Sequence, residues 1–134
     1  MREILFRGKR IDNGEWVIGF LSKTRGLDNK LHICIDYEEK GVMCSSIVIP
    51  ETVGQYTGLT DKNGEKIFEG DILKYTNDDN ETRYLTVAFE EGAFLINDNG
   101  VTEYDLISTF DCLGIEVAGN IHDNPELLKE AERE

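Results

Sequence analysis

The chain is 134 residues long, 40% apolar and 31% charged, and its 27 acidic residues outnumber 14 basic ones for a net charge of −13. That length suits one domain, or two small lobes sharing a core, with enough apolar residues to fold without staples. The acidic excess disfavours direct binding to phosphate backbones, whose affinity comes largely from Lys and Arg, and it favours solubility and basic partners.

The charge is uneven. Residues 1–30 carry seven cations (Arg2, Arg7, Lys9, Arg10, Lys23, Arg25, Lys30) and four acids (Glu3, Asp12, Glu15, Asp28), a balance of +3 that leaves −16 for the rest. A basic head on an acidic body can dock intramolecularly or drive head-to-tail self-association; a solvated surface with chance clustering is the alternative. Cys34, Cys44 and Cys112 form no CxxC pair. No apolar run approaches the ~20 residues that span a bilayer. An odd cysteine count without a secretion signal is expected of reduced thiols in a cytoplasm.

In chain order, Glu3 to Gly8 reads as a first strand, Asp12-Asn13-Gly14 as a turn, and Glu15 to Leu21 as a partner strand. Alternation puts Trp16, Ile18 and Phe20 on one face and Val17, Gly19 and Leu21 on the other. Trp16 among basic residues could stack a base, but a lone Trp in a strand is more often a packing residue. Ser22 to Lys30 reads as a loop, Leu31 to Ile35 as a strand, Asp36 to Gly41 as an acidic turn, and Val42 to Ile49 as a strand closed by Pro50. His32 and Cys34 share a strand face, and Cys44 could approach them across the hairpin. A zinc site wants four ligands in paired spacings, so buried, unligated cysteines are the expectation.

The stretch Val53 to Leu73 packs a turn, a hairpin and the start of a strand into 21 residues. Asn63-Gly64 is the signal of a two-residue type I′ turn, which needs positive φ at both central positions. Asp61, Asn63 and Glu65 alternate like calcium ligands. The sixth and twelfth positions of such a loop should be Gly and Glu, whereas here they are Lys66 and Ile72. Glu69-Gly70-Asp71 before the Ile72 to Tyr75 strand reads as a sharp turn, with Gly70 at positive φ and Asp71 accepting backbone N–H groups.

Beyond it, Thr76 to Thr82 is a polar turn, Arg83 to Phe89 an alternating strand with Leu85, Val87 and Phe89 on one face, and Ala93 to Asn97 the next strand. Val101 to Ile107 is strand or irregular, Ser108 to Gly114 ambiguous, and Ile115 to Ile121 a last strand in which Gly119 marks a bulge. Asn124 is placed to cap a terminal helix that starts at Pro125, with Glu126 in its first turn and Leu127, Leu128 and Ala131 as its apolar stripe. From composition and spacing alone the fold is mostly antiparallel β.

Several of these residues form a pattern. Val53-Gly54-Gln55-Tyr56-Thr57-Gly58-Leu59, Asp61-Lys62-Asn63-Gly64 and Ile67 to Ile72 are joined by Phe6-Arg7-Gly8, Trp16 and Gly19 near the start. Val117 to Ile121 and Asn124 to Leu128 complete the pattern near the end. On them the chain resembles the YopX family of phage and prophage proteins, over nearly its whole length; Thr24 to Ser46 and the loop at 76–82 carry little of the likeness. Beside the mainly β fold, the N-terminal β-hairpin region and the short C-terminal helix read from the residues, the resemblance implies a small SH3-like barrel for the C-terminal part. The lobes are expected at 1–50 and 51–134, forming one compact unit. It also implies a host cytoplasmic location. It supplies no mechanism, because the family has no established activity.

No phosphate loop, nucleophile elbow, zinc-protease or dinucleotide motif occurs. Cys112, His122 and Asp123 lie near one another in sequence, which is no evidence for a triad. Carboxylate pairs such as Glu69 with Asp71, Asp78 with Asp79 and Glu90 with Glu91 are too abundant to single one out. No catalytic residue, metal ligand or cofactor is assigned. The family-motif residues Gly54, Tyr56, Thr57, Gly58, Asp61, Asn63, Gly64, Glu69, Gly70, Asp71, Gly119, Asn120 and Pro125 are read as structural. Arg7, Arg10, Trp16, Leu127 and Leu128 are read as a candidate interaction surface. The leading functional reading is protein–protein contact with an unknown host or phage partner, with homo-oligomers open, no membrane role, and direct nucleic-acid binding disfavoured. The alternatives are a nucleic-acid-associated protein or acidic DNA mimic, and then a small hydrolase or nuclease.

Overall fold

The computed structural model describes residues 3–76, 79–90, 92–98, 102–105 and 114–128. The chain is mainly β, with its strands in two antiparallel sheets. It divides into two compact units, 1–56 and 57–134. The sequence had suggested a division at 50/51; the strand β5 (Gly54–Thr60) runs through the boundary and belongs to both units.

The first unit holds β1 (Phe6–Lys9), β2 (Trp16–Arg25), β3 (Leu31–Glu39) and β4 (Val42–Ile47), hydrogen-bonded in the order β4-β3-β2-β1, with β1 also pairing the start of β5. The polar stretch Ser22 to Arg25, expected to be loop, instead continues β2, and Asp36 to Glu39 continues β3. An unbroken ladder with β3 from Phe20↔Asp36 to Arg25↔Leu31 holds the first, and pairing with β4 from Asp36↔Ser45 to Glu39↔Val42 holds the second. Polar residues persist in these strands because one face of an antiparallel sheet tolerates water. The β3–β4 turn has Lys40 at φ 51 and Gly41 at φ 81. Positive φ at both central residues marks a type I′ turn.

The end of β1 then meets the end of β4. Arg10 bridges Val48, the Ile11 N–H donates to the Ile47 carbonyl, and the Ile49 N–H donates to the Lys9 carbonyl. A 3-10 turn (Pro50–Thr52) follows, and Thr52 Oγ1 accepts from the Lys9 N–H at 2.9 Å. Gly8 faces this closure, where a Cβ would sit 3.0 Å from Val48 side-chain atoms.

The β3–β4 register pairs Cys44 with Tyr37 and Cys34 with Ile47. Cys34 and Cys44 therefore point to opposite faces of the sheet, because side-chain direction alternates with period 2. The expected approach of Cys44 to His32 and Cys34 is corrected by that register.

In the second unit, β6 (Lys66–Phe68) neighbours β5. A five-stranded sheet follows in the order β10-β9-β8-β7-β11, built from β7 (Asp71–Thr76), β8 (Thr82–Glu90), β9 (Ala93–Asp98), β10 (Thr102–Asp105) and β11 (Ile115–Asn120). Four strands meander and the fifth returns beside the first. Ile67, Leu73, Leu85, Val87, Phe94, Ile96 and Ile115 form the core. Leu85 and Val87 point inward as their alternation requires. Phe89 is left exposed, tilted against its cross-strand partner Phe94 at 4.9 Å between ring centres. The ladder between β11 and β7 shifts between Val117 and Gly119, which is the bulge read from Gly119.

The terminal helix is described for 126–128, and Ala131 lies outside the described residues, as do Asp78, Glu91, Cys112 and the stretch 106–113. Among the described residues no helix is long and apolar enough to cross a membrane.

Candidate functional site

The second unit's motif residues build a set of turns rather than a pocket. Asp61 is the centre of the first. Its N–H donates to the Glu65 carbonyl and its carbonyl accepts from the Gly64 N–H, closing a hairpin between β5 and β6. Gly64 takes φ +79, while Asn63 does not lie at positive φ. The turn is therefore a three-residue loop with a glycine bulge, not the type I′ turn its Asn-Gly signal predicts.

The physical reason lies in the Asp61 side chain. Oδ1 accepts from the N–H groups of Asn63 and Glu65, both at 2.8 Å, which draws the loop around the carboxylate. Oδ2 accepts from the Val117 N–H at 2.9 Å, and the Lys62 N–H donates to the Ile115 carbonyl at 3.0 Å. The hairpin tip is thus fastened to β11 on both sides of Glu116. Asp61 is only 5% exposed. Burial pushes its carboxyl pKa up, but the N–H groups of Val117, Glu65 and Asn63, aided by Lys62, outweigh that and hold it below the usual carboxylate range. Both oxygens accept backbone N–H groups, the role of a turn-forming carboxylate.

A second turn spans Phe68 to Asp71. Gly70 takes φ +91, and Asp71 Oδ2 accepts from the Phe68 N–H at 2.7 Å. This is the arrangement read from Glu69-Gly70-Asp71. Asp71 is 1% exposed. The Gly70 N–H donates to the Val87 carbonyl, and the Gly70 carbonyl accepts from the Ile121 N–H. Glu69 sits half-buried in the turn. Upstream, buried Thr57 donates its hydroxyl to the Ile67 carbonyl and accepts from the Leu59 N–H, across Gly58 at φ +90. Gly54 pairs with Arg7, and the Tyr56 N–H donates to the Leu5 carbonyl.

A third turn closes the chain. Asn120 Oδ1 accepts from the His122 and Asp123 N–H groups, and the Asn120 N–H donates to Asn124 Oδ1. Asn124 was expected to cap the helix with its side chain; that oxygen instead turns back to β11, and its carbonyl accepts from the Leu127 N–H. Gly119 leaves the space, since a Cβ there would sit 2.7 Å from Asn124 Cγ. Pro125 opens the helical turn, and its carbonyl accepts from the Leu128 N–H; Leu127 and Leu128 are both half-buried.

Two basic residues, Arg7 and Lys9, lie on the first unit's sheet face that carries Trp16. The β1–β2 register opposes Arg7 to Ile18 and Lys9 to Trp16, so these four side chains share a face. The Arg7 guanidinium lies 4.8 Å from the Trp16 ring centre and the Lys9 ammonium 5.8 Å from it. Further along the same face of β2, Ile18 is 46% exposed and Phe20 61%. Alternation had grouped Trp16, Ile18 and Phe20 correctly, but Lys9 and the exposure of the two apolar residues were missed. The signal was available: Gly8 and Gly19, paired with Val17 and Phe6, mark the opposite, buried side. Arg10 stands apart, paired with Asp12 at 2.8 Å; the bond raises the pKa of Arg10 and lowers that of Asp12.

Among the described residues no group of three or more His, Cys, Asp or Glu is arranged to hold a metal ion. The His32 ring, on β3, contacts Asp28 of the β2–β3 loop at 2.9 Å.

What the geometry defines is a two-unit, mainly antiparallel β protein whose motif residues are turn-makers. A family model described as YopX protein matches residues 5–129, and the chain belongs to that family. Protein EF1440 from Enterococcus faecalis has a similar crystal structure, at 26% identity, with a TM-score of 0.56 over 96% of this chain and 99% of that one. Protein YopX from Bacillus subtilis is similar in fold, at 18% identity, with a TM-score of 0.57 over 95% and 98% of the two chains. No curated protein matches.

Proposed function

We propose that this is a phage or prophage accessory protein that acts in the host cytoplasm by protein–protein contact, through the Trp16 face of its first unit. The observation that supports the reading is the juxtaposition of Arg7 and Lys9 on the Trp16 ring with exposed Ile18 and Phe20 beside them. Aromatic, Arg and apolar side chains standing together on a surface have the composition of interface hot spots. Within this reading, the second unit is an SH3-like barrel: its meander with a returning fifth strand has that order. The test is affinity capture of the tagged full chain from infected or lysogenic host lysate, with nuclease treatment and a salt series. The reading expects a stoichiometric protein that survives nuclease and moderate salt and is lost with Phe20→Ser. Capture of nothing, or of the same protein by Phe20→Ser, overturns it.

A second reading rests on charge. Residues 1–56 carry eight cations and eight acids, so their balance is zero and the whole −13 falls on 57–134. An acidic unit of this kind can occupy a basic groove as a nucleic-acid mimic. A captured DNA-binding protein released steeply by salt favours mimicry.

A further inference from the structure

The outer edge of β4 is open. The Val48 N–H donates to the Ile33 carbonyl, so in the continuous β3–β4 register the bonded pairs recur at Ser46 and Cys44. The backbone groups of Met43, Ser45 and Ile47 must then point away from β3. The Ile47 carbonyl already accepts from the Ile11 N–H. Among the described residues nothing bonds to the outward groups of Met43 and Ser45. Edges of this kind are usually blunted by charge or proline. Here Gly41 to Pro50 is the longest stretch of the chain without a charged residue, and Val42 and Met43 are 62% and 65% exposed.

We propose that β4 pairs antiparallel with β4 of a second copy, about a two-fold axis at Cys44. Charge selects a copy joined through this unit. The first unit has no net charge, whereas contact through 57–134 brings like-charged surfaces together. Backbone geometry selects the axis. Centred on Cys44, Met43 opposes Ser45 of the second copy, and the converse pair is equivalent. The outward N–H and C=O groups of Met43 and Ser45 in both strands are then all bonded. Centred on Met43, Ser45 would oppose Gly41, where φ of +81 has already turned the chain. Centred on Ser45, Met43 would oppose Ile47, whose carbonyl is taken. A six-residue edge buries little area, so the pair is weak. The inference extends the protein-contact reading to a second copy. It uses the sheet edge rather than the Trp16 face, so either can fail alone.

The register puts the two Cys44 residues opposite each other as an unbonded pair, about 4.5 Å apart at Cα. That lies inside the span of about 4.4 to 6.8 Å that a disulfide bridges. The experiment is sedimentation of the full chain across concentration and salt, with diamide trapping in parallel. Each cross-link joins two thiols, and their two protons and two electrons reduce the diamide diazene to its hydrazine. The expected results are a weak dimer that high salt does not dissolve, and a trapped dimer that Cys112→Ser retains and Cys44→Ser loses. Ser45→Pro removes an outward donor and Met43→Lys adds an edge charge. Each should weaken association tenfold or more with unchanged circular dichroism. A monomer under all conditions, a dimer dispersed by salt, trapping through Cys34 or Cys112, or a dimer indifferent to Met43→Lys would overturn the proposal.

Discussion

Asp61 and Val117 are 56 residues apart in sequence, yet Asp61 Oδ2 accepts the Val117 N–H at 2.9 Å. The bond ties the β5–β6 hairpin tip to the strand that returns beside β7. The other two N–H groups on Asp61 belong to exposed loop residues that water can reach, whereas Val117 lies in a ladder beside the core. Asp61→Ala should therefore destabilise the second unit by about 3 kcal/mol, the scale of a lost hydrogen bond to a charged acceptor. Asp61→Asn should cost about as much, because an amide keeps one acceptor and turns a donor on the other side. The check is amide exchange at Val117, which should lose protection before Val117's ladder neighbours. Unchanged protection would remove Asp61 from this role.

The same carboxylate makes stability depend on acid. Its folded-state pKa lies below the unfolded value of about 3.9, so its contribution is fully present above that value and is lost as pH falls through the folded pKa. Exposed Asp28, lowered by the Lys30 N–H and by His32, adds little because water screens it. Far-UV circular dichroism against denaturant at stepped pH should show stability flat from pH 7 to about pH 5, then falling below about pH 4. In Asp61→Ala that fall should be shallower.

Gly70 tests the third side of the same frame. At φ +91 any Cβ is strained, and both of its backbone hydrogen bonds fix it in place. Gly70→Ala should cost about 1 to 2 kcal/mol from conformation alone. Asp71→Ala strips the buried Phe68 N–H of its acceptor and should cost about 1 to 3 kcal/mol. Denaturant midpoints of the two single variants and the double variant measure this. The double should cost less than the sum, because both act on one turn.

How far these features could be read from the sequence differs from residue to residue. Asn63-Gly64 announced the hairpin, but its turn type was set by Asp61, whose carboxylate partners include a strand that no local pattern reveals. The type I′ turn formed instead at Lys40-Gly41, where the β3–β4 ladder rather than residue preference imposes positive φ on a lysine. Gly70 with Asp71 and the Gly119 bulge were legible because glycine demand and short Asp loops are local. Asn124 was misread because its acceptor role depends on how close β11 passes, which only the absent Gly119 side chain allows. The extension of β2 and β3 through polar residues was hidden for a related reason. Their pairing satisfies backbone groups, and the side chains on the wet face need carry no apolar signal.

Gly19 provides the last prediction and separates folding from recognition. It is buried where β2 passes β3, and an added Cβ would run into the Asp36 carbonyl oxygen, with the carbonyl carbon at 2.9 Å. The obstacle is backbone, so it cannot swing aside as the Asn124 side chain could for a Gly119 variant. Gly19→Ala should cost about 1 to 3 kcal/mol, the range for overpacking a closed site. Trp16 is the only tryptophan and stands on β2 in this unit. Its fluorescence therefore reports the loss directly, and the denaturation midpoint by fluorescence should fall further than the midpoint by far-UV circular dichroism, which sums both units. Trp16→Phe and Phe20→Ser lie on the opposite, open face and should leave the dichroism midpoint within about 0.5 kcal/mol of the parent. A stable Phe20→Ser protein that loses its captured partner, beside a Gly19→Ala protein that binds it in proportion to its folded fraction, is the pattern a recognition face produces. If loss of capture instead tracks stability across all three variants, the exposed face has no role beyond folding.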